Sequence, residues 1–329
     1  MKHFSPYLLA LVTALLVATA THAATIASTW PVAACGSTIT VAADDPGSGA
    51  AYLTGKQCQA GSPITIDLAG HKLTGPLRFR SVAGVYVKGG GSISTGYGVQ
   101  FLRSRFVTVA DMVMTGVKNG VVIDQTSDFR VLRITCVRYT TDCVDIGNGS
   151  NAGLVSGVGC LDPRPLSPAT HPDCIQLFSR AQYRPTGNIT IQGNTASGLS
   201  QGFFAGNHVR IYRAGTTVWD RGLGAFRKLT VDESLSDGGF DGLRFIGNVA
   251  TVAYSRGVSA SECRGCSYRQ NIVATFAAPD ANQARILDDS LTLDKRPGLD
   301  HCANRYDRFV TASGSVKPGW ADQPCGSTP

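Results

Sequence analysis

A short apolar motif returns along this chain. Ile64-Thr65-Ile66, Val85-Tyr86-Val87, Val107-Thr108-Val109 and Val131-Leu132-Arg133-Ile134 start 21, 22 and 24 residues apart. The motif alternates β-branched and polar residues and is punctuated by Gly, Asn and Asp, which reads as short strands separated by turns. A repeat of this length is the mark of a solenoid. Leucine-rich repeats share the period, but their leucine frame is missing. Each unit instead reads as two or three strands joined by turns, one rung of an all-β, single-stranded parallel β-helix. Rungs of such a fold stack about 4.8 Å apart. Residues distant in sequence therefore become neighbours in columns, and function has to be sought in columns.

The pattern also sets the organisation. Residues 1–23 read as an export signal: Lys2 and His3 form a weak basic start, Leu8 to Ala20 is apolar, and Ala23 offers a small residue at the cut site. The apolar run is too short for a membrane span, so a secreted or periplasmic protein is expected, cleaved after Ala23. Residues 24–60 are assigned to an N-terminal cap, 61–293 to the β-helix, and 294–329 to a Cys-bearing C-terminal tail or cap. A lateral insertion is expected at about 208–239, carrying Trp219 and Phe226. The segment from Asp162 to Pro168 holds three prolines, which cannot donate to a ladder, so it must loop out. Asn194, Asn248 and Asn271 follow early strands at one offset and predict a stacked ladder of side-chain amides.

Alignment of the later strand of each rung gives the set Gly98-Val99-Gln100-Phe101, Gly120-Val121-Val122-Ile123, Cys143-Val144-Asp145-Ile146, Cys174-Ile175-Gln176-Leu177, Gly202-Phe203-Phe204-Ala205 and Gly257-Val258-Ser259-Ala260. Alternate side chains of a strand face opposite sides. Val144 and Ile175 then point inward, while Asp145 and Gln176 stack outside beside Phe204 and Ser259. One position earlier, Asp142 sits over Asp173, flanked by Asn119 and Gln201. Three carboxylates, Asp142, Asp145 and Asp173, are thus expected with His171 and Gln176 in one exposed patch. Carboxylates this close raise one another's pKa or recruit a cation, and both outcomes serve acid–base or metal-assisted chemistry on a sugar.

All ten cysteines lie beyond the leader, which suggests disulfides in an exported chain. Stacking predicts Cys136 with Cys160 and Cys143 with Cys174, and pairs Cys35 with Cys58 and Cys302 with Cys325 at the ends. Cys263 and Cys266 lack the further ligands that zinc needs. The formal charge of +7 falls to +6 when Lys2 leaves with the signal, and the basic residues are scattered. An anionic polysaccharide fits such a surface better than nucleic acid does. A monomer is expected.

The rung pattern over about residues 60–290 resembles the pectin-lyase-like superfamily of right-handed parallel β-helix proteins. Within it, Thr141-Asp142-Cys143-Val144-Asp145-Ile146-Gly147-Asn148-Gly149-Ser150 is similar to the polygalacturonase stretch in which paired aspartates precede Cys, an apolar residue and a Gly/Ser turn. Asp142 matches the second acid and Thr141 replaces the first. Lys118-Asn119, Asp173 and Gln201-Gly202-Phe203 stand where that family carries its other motifs. His171-Pro172-Asp173-Cys174-Ile175-Gln176 looks like a motif of exported bacterial β-helix proteins.

Three functions compete. In a polysaccharide lyase acting on a uronate-containing glycan, Asp142, Asp145 and Asp173 would hold Ca²⁺ or the substrate carboxyl. His171 or Arg180 would be the base there, with Gln176 and Gln201 orienting the sugar and Trp219 stacking on it. In a glycoside hydrolase, two of the three carboxylates would be acid and base. In a glycan-binding adhesin, the patch would bind without cleaving.

Overall fold

The computed structural model describes residues 33–42, 44, 51–167, 170–254, 256–276, 285–288, 300–310, 316–321 and 324–325. The expected leader lies outside these. Among the described residues no helix is long and apolar enough to cross a membrane.

The chain winds into an all-β parallel β-helix with three strand rows. One row is a sheet of nine parallel strands, with central members Tyr97–Leu102, Asn119–Asp124, Asp142–Gly147, Asp173–Phe178 and Gln201–Gly206. The other two rows share long strands that cross a bend, such as Arg105–Thr115 and Ser127–Val137. That bend is made by residues in the left-handed backbone region, Asp111 (φ 56°) and Arg133 (φ 51°) among them. Two non-glycine residues there are uncommon; a bidentate Arg133–Asp111 pair, at 2.6 and 2.8 Å, joins their side chains across the rungs.

Inward columns carry the aliphatic motif found in the sequence. Val85, Val107 and Phe129 stack in one, and Val121, Val144, Ile175 and Phe203 in another, all at most 1% exposed. Each such side chain contributes roughly 1.5–3 kcal/mol on burial. Phe79 stacks on Phe101 with centroids 4.5 Å apart. The amide ladder forms as the sequence predicts, with side-chain bonds of 2.9 Å from Asn194 to Asn248 and from Asn248 to Asn271, and it continues to Asn304.

Winding starts and ends outside the assigned boundaries. Thr38–Thr40 pairs in parallel with Ile64–Asp67, and Ala51–Thr54 with Leu77–Arg80, so the segment assigned to a cap already forms a rung. At the other end Asp300–Cys302 continues the ladder, and Val316–Ala321 folds back antiparallel on Arg305–Val310. The insertion is a long antiparallel hairpin, Val209–Tyr212 with Glu233–Ser236 and Thr217–Asp220 with Ala225–Lys228. Tyr212, Val218 and Leu229 pack with Ala181 in a small second core.

The disulfides correct two pairings. Cys35–Cys58 and Cys302–Cys325 join as expected, but Cys136 bonds Cys143 and Cys160 bonds Cys174. Cys136 and Cys160 are register neighbours on parallel strands, so their Cβ vectors run side by side. Across the corner of a single rung, Cys136 and Cys143 instead face each other, with Cα atoms 5.6 Å apart. Cys263 and Cys266 also form a disulfide.

Candidate active site

The nine-stranded sheet presents two outward rows near its middle. The first follows the register Tyr97, Asn119, Asp142, Asp173, Gln201; the second follows Gln100, Val122, Asp145, Gln176, Phe204, Ser259. Both arise because glycine or cysteine fills the intervening inward position. A Cβ on Gly120 would lie 2.6 Å from the Cys143 carbonyl oxygen, and the Cys143 side chain itself turns into its disulfide.

The alignment of Asp142 over Asp173 and of Asp145 beside Gln176 is as the sequence predicts, but the patch is not uniformly exposed. Asp142 is 2% exposed and Asp173 1%, and Asn119 and Gln201 are buried with them. Asp145 and Gln176 are only partly buried, and His171 is exposed. Asp142 and Asp173 are each the first residue of a strand, and burial there is confined to the middle of the row, since Tyr97 at one end is partly exposed. The site is therefore a buried acidic floor, Asp142 and Asp173, beside Asp145, whose Oδ1 is covered, and the more open Gln176 and His171.

One amide ties the floor to Asp145. Asn119 Nδ2 donates to Asp142 Oδ2 at 3.0 Å and to Asp145 Oδ2 at 3.3 Å. His171 Nδ1 lies 3.6 Å from Asp173 Oδ1 and meets the Tyr254 ring edge-on. Burial raises the Asp142 carboxyl well above the usual aspartate range, and the charges of Asp173 and Asp145 add to it. Burial, then Asp124 and Asp173, raises Asp145 to about 7. Burial also raises Asp173, opposed by His171 and Arg256. Its bond to Asp173 raises His171 in turn, against burial and Arg256. An acid that keeps its proton near neutrality can donate it to a leaving group.

Two neighbours were missed. Asp124 ends its strand one rung before Asp145, opposite Gly147, and is raised by burial. It directly follows Ile123, the last residue of the aligned segment, and shares the outward parity of Val122. Arg256 lies over the Phe204 ring at 4.1 Å and acts electrostatically on Asp173 and His171. Its signal was its place one position before Gly257, at the offset of Gln201. At the opposite end of the row, Lys118 and Arg78 flank the Tyr97 ring at 5.8 and 6.0 Å.

Other expected residues lie elsewhere. Trp219 packs edge-on to Phe226, under the Arg184 guanidinium, and its backbone N–H donates to Ala181 O at 2.6 Å. Arg180 sits at the same seam between hairpin and coil, its carbonyl accepting from Tyr183 N–H. Neither contact set includes the carboxylates. Among the described residues no group of three or more His, Cys, Asp or Glu side chains is placed to hold a metal ion.

No protein-family model and no curated protein matches the sequence. Solved structures resemble the fold. An alginate lyase from Paenibacillus sp. is 12% identical, with 85% of this chain and 94% of that chain covered and a TM-score of 0.40. A double mutant of the tailspike protein of E. coli bacteriophage HK620 is 12% identical, covering 83% of this chain and 55% of that one, with a TM-score of 0.47. Pectate lyase C from Erwinia chrysanthemi is 11% identical over 86% of each chain, with a TM-score of 0.39. At such identities the likeness concerns fold and assigns no activity to this chain.

Proposed function

We propose that this chain is an exported enzyme that cleaves glycosidic bonds in an anionic polysaccharide by acid–base chemistry centred on Asp145. The observation that carries this reading is the carboxyl cluster itself, Asp145 raised to about 7 and tied through Asn119 Nδ2 to the buried Asp142. In hydrolysis, Asp145 protonates the leaving oxygen and Asp124, its outward neighbour, serves as the companion carboxylate that activates water. Asn119 holds Asp145 in place, and Gln176 contacts the sugar one rung on. The cationic ring platforms at Tyr97 and Phe204 bracket the row and fit a polymer bearing negative charge.

A second reading, β-elimination, is favoured by one specific observation. His171 and Arg256 are two cationic groups beside Asp173, suited to neutralising a uronate carboxyl while a base removes the adjacent proton.

The test is a screen of the mature protein against anionic and neutral polysaccharides, with Ca²⁺ or chelator present. New reducing ends without unsaturated product, abolished in Asp145→Asn, establish hydrolysis. The ultraviolet absorbance of an unsaturated uronate, lost in His171→Ala, moves the case to elimination. Retention of polymer with neither signal makes the chain a binding module and overturns both readings.

A further inference from the structure

Beneath the acidic floor lies a phenol that the chemistry above does not use. Tyr139 occupies the corner between the strands Ser127–Val137 and Asp142–Gly147, held by backbone bonds from Thr140 N–H to Val117 O and from Arg164 N–H to Tyr139 O. Its side chain is 0% exposed, and its hydroxyl makes no well-aligned hydrogen bond, Ser200 being the side chain that acts on it as a hydrogen-bonding neighbour. Ser200 Oγ and Gln201 Oε1 are equally buried without a well-aligned bond, and Asp173 Oδ1 is buried with only the 3.6 Å ion pair to His171. These atoms belong to one corner: Ser200 precedes Gln201, Gln201 pairs with Asp173 across the ladder, and the Asp173 and Asp142 charges both act on the Tyr139 hydroxyl. Burial keeps that phenol protonated, so it is a donor facing acceptors. Buried polar groups left without partners are rare, and such a gathering marks a shared bond or a bound water.

We propose that Tyr139 is a positioning residue whose hydroxyl donates to Asp173 Oδ1, directly or through one water held with Ser200 and Gln201, and so fixes from the core side the carboxylate that holds His171. The inference rests on the reading above only in making Asp173 part of a working site; the bond itself stands or falls separately. Asp173 is then gripped from both sides, by Tyr139 below and by His171 above, with Asp142, Asp145 and Arg256 as the other charged groups around it. The grip sets the orientation of the His171 ring at the open side of the site.

The test compares wild type with Tyr139→Phe, which removes only the oxygen, and with Asp173→Asn and Ser200→Ala. Tyr139→Phe is expected to shift the Asp173 carboxyl ¹³C resonance, and Asp173→Asn to shift the Tyr139 ring Cζ resonance. With a turned-over polymer in hand, Tyr139→Phe lowers kcat about tenfold at unchanged KM, as misorientation of a reacting group does. Resonances that stay fixed in both variants, with only a lower thermal midpoint, overturn the proposal. Shifted resonances in a protein that cleaves no polymer sustain the bond and refute the enzymatic reading instead. Should Tyr139→Phe not fold, the Tyr139 resonance in Asp173→Asn and Ser200→Ala decides alone.

Discussion

Asp145 keeps its proton in a range where an ordinary aspartate has lost it, and this has a thermodynamic sign. Its folded pKa, about 7, lies above the unfolded value of about 3.9. Between those values the native state binds more protons than the unfolded state, so stability falls as pH rises through the window. Asp145→Asn, which cannot ionise, is expected to flatten that decline between about pH 4 and about pH 7 in denaturant titrations. It also abolishes turnover. A variant whose stability profile tracks that of the wild type would mean that the carboxyl titrates normally. The three aspartates were legible because a regular period turns sequence offset into spatial adjacency. Their burial was not, since Tyr97, at the same strand-start position, is partly exposed while Asp142 and Asp173 are covered. Asp124 escaped because it lies one residue past the aligned segment. Arg256 escaped because it lies one residue before the aligned segment Gly257-Val258-Ser259-Ala260.

At the scale of elements, the amide ladder shows how a column substitutes for a local signal. Asn248 Oδ1 accepts from both the backbone and side-chain nitrogens of Asn194, while its Nδ2 donates to Ile191 O and Asn271 Oδ1. Every member is 0% exposed, so deletion of one leaves several buried partners without water to replace it. Asn248→Ala is expected to cost about 2–4 kcal/mol, read from the shift of a urea midpoint, since each orphaned buried group costs about 1–3 kcal/mol. A cost under about 0.5 kcal/mol, the level of an ordinary surface change, would show the ladder to be ornamental. The ladder was readable from three asparagines at one offset, and Asn304 extends it into a segment assigned to the tail. A second ladder was not readable. Ser104, Thr126 and Ser150 accept from the backbone nitrogens of Val82, Ser104 and Thr126, using hydroxyls that look in sequence like common turn residues. The hairpin is held similarly, by Asp237 accepting from Arg210 and from the Tyr212 hydroxyl, which itself accepts from Ala181 N–H.

The whole molecule behaves as a stack, in which each rung contacts mainly its neighbours and stability is close to a sum of rung and interface terms. Disulfides between rungs would tie that stack along its axis, whereas the two central bonds close single rungs beneath the carboxylates. Their loops are short, with separations of 7 and 14 residues. The entropy removed from the unfolded chain is correspondingly limited, about 2.5–3 kcal/mol each. Two consequences separate this arrangement from the inter-rung pairing that the sequence suggests. Peptide mapping after cleavage before Asp142 and before Asp145, which puts Cys136, Cys143 and Cys160 on separate fragments, should link Cys136 to the fragment holding Cys143, and a link to Cys160 would reverse the assignment. Replacing Cys160 and Cys174 together by Ser should then lower stability by about 3 kcal/mol while the β-sheet circular dichroism persists. The effect should reach the acidic floor, because Cys174 adjoins Asp173 and fixes where its strand begins. Turnover should therefore fall further than the lost stability alone accounts for, measured at a temperature where the variant remains fully folded. Unchanged turnover under that condition would show that the corner is held by the ladder alone.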